Sequence, residues 1–451
     1  MTKHARTGLC LCIVLGVLGP STAFAKYESS RTSLIADESD NLRPKPVSAE
    51  VIAFAQNALR LIEKRHGKYH PAVAKGIRDL AALYAASGRQ EEAESLYKRA
   101  LAIWEKTLGP DSAPIIVEAD SLGALYFKER RFDEAAAQLS RSLRISEHVL
   151  GRDHSDVART LANLALVYGR QGKVADAVAL LERAYAIAEH KGKGDNAWAA
   201  PVANRLAALY AEQGRSADSE TLLKRAVETF EKWEESGSEA AGRTLNNLAL
   251  LYFAKGYPLE AEKSAKRSID LLSRGPQHFD GALAEGLNTL AAIYQSQARY
   301  AEAAPLLQRS LSIAEKTLSP EDPDLARFTS NLALVYEAEG RVGEAVPLFE
   351  EALKLGEKSL GPNHNWVGLA ADRLGMAYAG VGQNGEAEAA FKRSISIFEK
   401  NLGGESPHVA RVLGHLSSLY VAEGRPAEGE QLLKRAHISE AANAINKPKG
   451  E

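Results

Sequence analysis

Arginine, asparagine and leucine recur along this chain in one fixed spacing, as Arg159-Asn163-Leu166, Arg243-Asn247-Leu250 and Arg327-Asn331-Leu334. The separations of four and then three residues put each trio on one side of a helix. An asparagine amide can hold a polypeptide backbone by donating and accepting at once, an arginine pairs with carboxylates, and a leucine adds apolar contact. The trios point to capture of another chain rather than to bond breaking. Related positions carry Arg205, Asn246, Asn288, Arg373, Arg411 and His415. We take Arg159, Asn163, Arg205, Arg243, Asn246, Asn247, Asn288, Arg327, Asn331, Arg373 and Arg411 as candidate binding residues, joined by Leu166, Leu250 and Leu334. The alternative for the leucines is packing between neighbouring helices.

Catalytic and metal chemistry find less support. His70, His154 and His364 hold one phase, which they share with Ser112, Asn196, Ser238, Asp280, Asp322 and Ser406. Proline follows at Pro71, Pro323 and Pro407. Most of these are helix N-cap residues, and a proline next to them suits the first helical position, so we read the histidines as caps. Convergent metal ligands are not expected from residues so far apart in the chain. No nucleophile arrangement, phosphate-cradling glycine loop or paired-cysteine spacing occurs. Acids such as those in the run "EEAE" at 91–94 fall on polar helix faces. We expect no catalytic residues, no metal and no cofactor.

The positioning elements follow from a tyrosine every 42 residues, at Tyr84, Tyr126, Tyr168, Tyr210, Tyr252, Tyr294, Tyr336, Tyr378 and Tyr420. A fixed period of this length marks a stack of one structural unit. Leucine stands four residues before every tyrosine, and a small residue (Ala, Gly or Ser) stands three before. Four residues after it comes a helix stop, usually glycine, as at Gly88, Gly172 and Gly214. A second apolar-periodic stretch follows, such as "EEAESLYKRALAIWEK" from Glu91 to Lys106. Each unit is helix, tight turn, helix, and strand patterning is absent. The binding stripe lies at offsets −9, −5, −2 and +2 from the tyrosine. A basic residue holds −9 in every odd repeat, from Lys75 to Arg411, so an 84-residue alternation overlies the shorter period.

These residues resemble the tetratricopeptide repeat, with alanines such as Ala93 and Ala100 on the second helix. The 42-residue length and the "LGPD" or "LGPN" links look like the longer repeat of kinesin light chains and related bacterial proteins. The resemblance implies a right-handed, all-α solenoid of nine antiparallel helix pairs whose first helices line a concave, peptide-binding groove. Some positions depart from the pattern: Ser219 and Gly429 replace the first alanine, Arg130 stands where a glycine belongs, and the links near 192–195, 236–238 and 274–277 lose the Leu-Gly-Pro form.

At the N-terminus, Lys3 and Arg6 precede an apolar run from Gly8 to Gly19, and Ala23-Phe24-Ala25 follows. This is the pattern of a signal peptide cut between Ala25 and Lys26. Its removal would take away Cys10 and Cys12, the only cysteines. The expected layout is a signal at 1–25, a flexible tether at 26–47, a leading helix at 48–67, nine repeats at 68–445 and a tail at 446–451. A formal net charge of −2 gives no basic footprint for nucleic acid. The expected protein is exported, periplasmic or secreted, without a membrane span after cleavage. It is expected to be monomeric and to bind an extended, partly acidic protein or peptide segment. The rival readings are a self-assembling envelope component and an enzyme with an unrecognised site.

Overall fold

The computed structural model describes residues 49–191, 199–232, 238–274 and 280–445. The expected signal, its cleavage point at Ala25 and Lys26, the tether, the tail and the capping position Asn196 lie outside the described residues. Within them every regular element is a helix, 19 in all, with no strand. Among the described residues, helix α1 (Ala49–His66) comes first, outside the helix pairs. The pairs that follow are α2–α3 (Pro71–Ala86, Gln90–Leu108), α4–α5 (Ala113–Lys128, Phe132–Leu150) and α6–α7 (Ser155–Arg170, Val174–Lys191). Next come α8–α9 (Ala199–Glu212, Ser216–Glu231), α10–α11 (Ser238–Ala254, Pro258–Ser273) and α12–α13 (Asp280–Ser296, Tyr300–Thr317). The last are α14–α15 (Pro323–Ala338, Val342–Leu360), α16–α17 (Asn365–Gly380, Asn384–Leu402) and α18–α19 (Pro407–Ala422, Pro426–Ile445). The described residues form two compact units that divide after Ala282. Within each unit, consecutive helices pack on one another.

The recurrent tyrosine does three jobs. Its carbonyl accepts the amide five residues on, closing the turn in all nine repeats at 2.8–2.9 Å, from Arg89 on Tyr84 to Arg425 on Tyr420. A left-handed residue makes that turn, as at Gly88 with φ 79° and Gly172 with φ 74°. Where the turn carries a cation the ring takes it, with the Arg131 guanidinium 4.2 Å from the Tyr126 centroid and that of Arg425 3.8 Å from Tyr420. Its hydroxyl reaches back to the previous pair: Tyr126 donates to Glu94 at 2.9 Å and Tyr210 to Glu182 at 2.6 Å. One residue therefore closes the turn after its own helix through its carbonyl and links two repeats through its side chain.

The leucine four residues earlier is 5% exposed or less in every copy. Each such burial contributes about 1.5–3 kcal/mol. The small residue beside it sets how closely the two helices of a pair approach. A Cβ on Gly375 would stand 2.7 Å from the Phe391 ring, too close without a shift. Where serine departs from alanine it finds an acceptor: Ser219 donates to Ala207 O and Ser417 to Gly429 O, both at 2.8 Å. Successive second helices are tied by ion pairs of one register, including Arg99 with Glu63, Arg141 with Glu105 and Arg393 with Glu357.

The capping role read for the histidines holds. Nδ1 of His70, His154 and His364 accepts the amide two residues on at 3.1, 3.2 and 3.2 Å, so the ring proton of the neutral form sits on Nε2. Asp322 and Ser406 cap in the same way. Ser112 turns its hydroxyl back to Gly109 O instead, and Ser238 and Asp280 are the first residues of α10 and α12.

Candidate functional site

The candidate residues all lie on first helices, and the two units use them differently. In the unit ending at Ala282, α4 contributes polar groups that the sequence reading passed over. Glu118 is fully buried and accepts from Trp104 Nε1 at 2.8 Å, and burial raises its carboxyl above the ordinary value. Asp120 is 3% exposed; burial pushes it up to about 6, against the opposing pull of Ser142 and Arg159. On α6, Asn163 is also 3% exposed, and neither its Oδ1 nor its Nδ2 has a hydrogen-bond partner. Asp120 Oδ1 and Arg159 Nε are likewise unmatched. Arg159 pairs through Nη2 with Asp156, one turn earlier, at 3.0 Å. Leu166, on the same face, is half-buried.

Further along that unit, half-buried Arg205 of α8 comes close to the preceding first helix, since a Cβ on Gly169 would lie 3.7 Å from its Nη2. On α10, Arg243 is held by Glu239 at 2.9 Å, and Asn246 is buried with its Oδ1 unmatched. Asn247 is half-buried, while Leu250 is only 7% exposed, consistent with its serving packing.

In the unit beginning at Leu283 the same positions are spent on the chain itself. Asn331 of α14 donates through Nδ2 to Asn288 Oδ1 of α12 at 2.7 Å, both side chains being buried. Arg327 pairs with Asp324 at 3.0 Å and lies 4.4 Å over the Phe328 ring, and Leu334 is half-buried. Half-buried Arg373 acts on Glu337, whose carboxyl is raised by burial and partly pulled back by that guanidinium. Buried Asp372 receives His415 Nδ1 at 2.8 Å and faces Arg411 Nε at 3.5 Å.

The arginines and asparagines of each odd repeat do share a helix face, as their spacing requires. The asparagines at 163, 246, 288 and 331 lie beneath that face, and the arginines at 159, 243 and 327 are held by acids of their own helices. The missed acids had a readable signal: Glu118 and Asp120 interrupt "APIIVEADSLGALYFK", an otherwise apolar helix. Shallow surface depressions lie at the inter-helix turns around Arg130 and around Ala298, where Gln171 pairs with Asp133 and Arg299 with Glu302. Among the described residues, no three His, Cys, Asp or Glu gather to hold a metal, and no helix is long and apolar enough to cross a membrane.

A tetratricopeptide repeat family model matches residues 49–106, 116–190, 198–274, 282–358, 324–400 and 369–437. Among curated proteins none matches the chain. Among solved structures, the apo form of RapI aligns with a TM-score of 0.54 at 12% identity, covering 83% of this chain and 99% of RapI. The apo quorum sensor NprR from B. thuringiensis aligns with a TM-score of 0.50 at 16% identity, over 81% of this chain and 98% of its own. Kinesin light chain TPR-like repeats from Podosopora anserina are 27% identical over 45% of this chain and 96% of theirs, with a TM-score of 0.42. The likeness to RapI and NprR is one of fold. With the family model spanning most of its length, the chain belongs to the tetratricopeptide repeat family.

Proposed function

We propose that this protein is an exported, non-catalytic scaffold that binds an extended, partly acidic polypeptide along the first helices, within residues 113–254. A tetratricopeptide scaffold implies a protein partner. The observation that carries the finer reading is unspent hydrogen-bonding capacity: both amide atoms of Asn163 and Nε of Arg159 lack partners, as does Asn246 Oδ1. A buried polar group left unmatched costs about 1–3 kcal/mol, which a ligand backbone can recover.

The arginines supply the entry step. Asp156 and Glu239 hold Arg159 and Arg243 extended along the helix face. Such pairs, three or four residues apart on a helix, contribute only about 0.2–0.5 kcal/mol, so a partner carboxylate can replace them at little cost. When Arg159 turns outward to that carboxylate, Asn163 beneath it becomes reachable. Leu166 then provides apolar contact beside the captured backbone. In residues 283–422 the equivalent asparagines are already paired, which makes that stretch the weaker site.

Binding of synthetic, glutamate-bearing extended peptides, followed by fluorescence anisotropy at low and high salt, tests this reading. The variant combining Arg159→Gln, Arg205→Gln and Arg243→Gln is expected to bind at least about tenfold more weakly, with unchanged helicity and a flatter salt dependence. Equal affinity of variant and parent would reject the site. Export is tested separately: intact mass of the protein from the producing cell is expected to place its first residue at Lys26.

A further inference from the structure

Helix α1 is in phase with the second helices of the later pairs and opens the described residues. Ile52 and Leu59 pack toward α2 and are each 8% exposed. Ile62 is half-buried against the same core. By contrast, Phe54 is 77% exposed, Leu61 67% and Val51 48%. Together with half-buried Ala58 they stand at separations of three, four and three, a single stripe along the helix. One repeat later the same positions are Ala93, Leu96, Ala100 and Ile103, which belong to the core that α3 shares with α2. The face that α3 buries within its own pair is therefore open on α1. In the preceding sequence Glu38 and Leu42 stand one period before Leu80 and Tyr84, with Pro44 close behind, so the leucine and tyrosine of the repeat are not kept there.

We propose that this stripe is filled by α1 of a second copy of the chain, running antiparallel about a twofold axis between Phe54 and Ala58. The separations read the same in both directions, so the axis sets Phe54 over Ala58 of the other copy and Val51 against its Leu61. A large side chain thus meets a small one at the centre, the complementarity that close helix packing needs. Charge selects the same orientation. Glu50 lies in the first turn, and Lys64, Arg65 and His66 lie in the last. Antiparallel pairing brings acid to base at both ends and opposes the helix dipoles, whereas parallel pairing sets base against base. The interface is closed: each copy uses its one stripe, so assembly stops at two. One helix per side is a small interface, and affinity in the micromolar range follows. The sequence alone led to a monomer; the uncovered stripe leads to a weak dimer, independently of the peptide-binding reading.

Sedimentation of the purified chain from roughly 1 to roughly 100 µM spans the affinity expected of so small an interface. The expected result is a monomer–dimer equilibrium. Phe54→Glu abolishes it without changing thermal unfolding, because the side chain is mostly solvated in the single copy. Glu50→Lys weakens the dimer severalfold, and combining it with Lys64→Glu and Arg65→Glu restores it. A monomer at every concentration overturns the proposal. So does growth beyond the dimer, which needs an open contact. A parent chain that is monomeric but loses melting temperature on Phe54→Glu shows instead that the chain's own preceding residues cover the stripe, which also overturns it.

Discussion

Asn331 and Asn288 form a side-chain hydrogen bond of 2.7 Å between the first helices of adjacent repeats. They are 43 residues apart, one more than the repeat, and His415 and Asp372 stand in the same relation at 2.8 Å. Asp120 with Asn163 and Asn204 with Asn247 are equivalent pairs by number. The 84-residue alternation is therefore, at two of its four steps, a joint inside the stack. At the step between Asp120 and Asn163 the groups are buried, and Asp120 Oδ1 and both amide atoms of Asn163 lack partners. That difference between the units is why the binding proposal rests on the earlier one.

Breaking one half of a closed joint is expected to cost more than removing both halves. Asn331→Leu leaves Asn288 Oδ1 buried without a donor and lowers stability by about 1–3 kcal/mol. Combining it with Asn288→Leu recovers much of that loss. Denaturant titrations of the single and double variants decide the matter, and additive losses would show that the bond carries no coupling.

Asp120 gives stability a pH dependence of known sign. Its folded-state carboxyl titrates at about 6 instead of 3.8, mainly through burial. Well below pH 3.8 both states are protonated. As pH rises toward 6 the unfolded chain ionises first, so the folded state loses stability, and the loss is complete above 6. Asp120→Asn removes that loss. Its stability relative to the parent is expected to rise by about 1–3 kcal/mol between pH 4 and pH 7. Thermal melts across that window test it; a difference that does not vary with pH would contradict the assignment.

Two turns are made by residues that resist the left-handed conformation, Arg130 with φ 61° and Ala298 with φ 59°. The equivalent turns use glycine. Arg130→Gly and Ala298→Gly are each expected to stabilise the chain by about 1 kcal/mol, the usual strain of such a residue. A fall in melting temperature on either change would mean that the lost side chain matters more than the backbone.

Charge reversal and charge removal on the arginine row should separate binding from folding. Arg243→Glu puts like charge beside Glu239, so it loses local helix stability as well as ligand. Arg243→Gln removes the partner's carboxylate site while sparing the helix. Peptide affinity is expected to fall in both variants, and the melting temperature only in the first. If Arg243→Gln also unfolds the chain, the arginine is chiefly a structural group.

The repeat, the pairing of helices and the caps were legible in the sequence because each depends on local geometry: a tyrosine carbonyl and its turn, a leucine one turn away, an imidazole two residues before an amide. The binding row was legible only as a line on a helix. Helical period placed Arg327, Asn331 and Leu334 on one face, but whether the neighbouring helix covers that face depends on packing between repeats. The interval of 43 between Asn288 and Asn331 was the available clue, but the asparagines were read as part of a ligand-binding row. Glu118 and Asp120 went unnoticed for a related reason, since acids on helices are usually solvated. The open stripe of α1 could be seen only once the helix preceding it in every later pair was known to bury the corresponding face.

The most direct test places a photo-crosslinking residue at Leu166, on the first-helix row, or at Arg225, on an exposed second-helix face, in the producing cell. The account predicts one protein partner crosslinked from position 166 through an extended acidic segment, lost when Arg159, Arg205 and Arg243 become glutamine. Equal products from both positions, or a product at 166 that survives those substitutions, would contradict it.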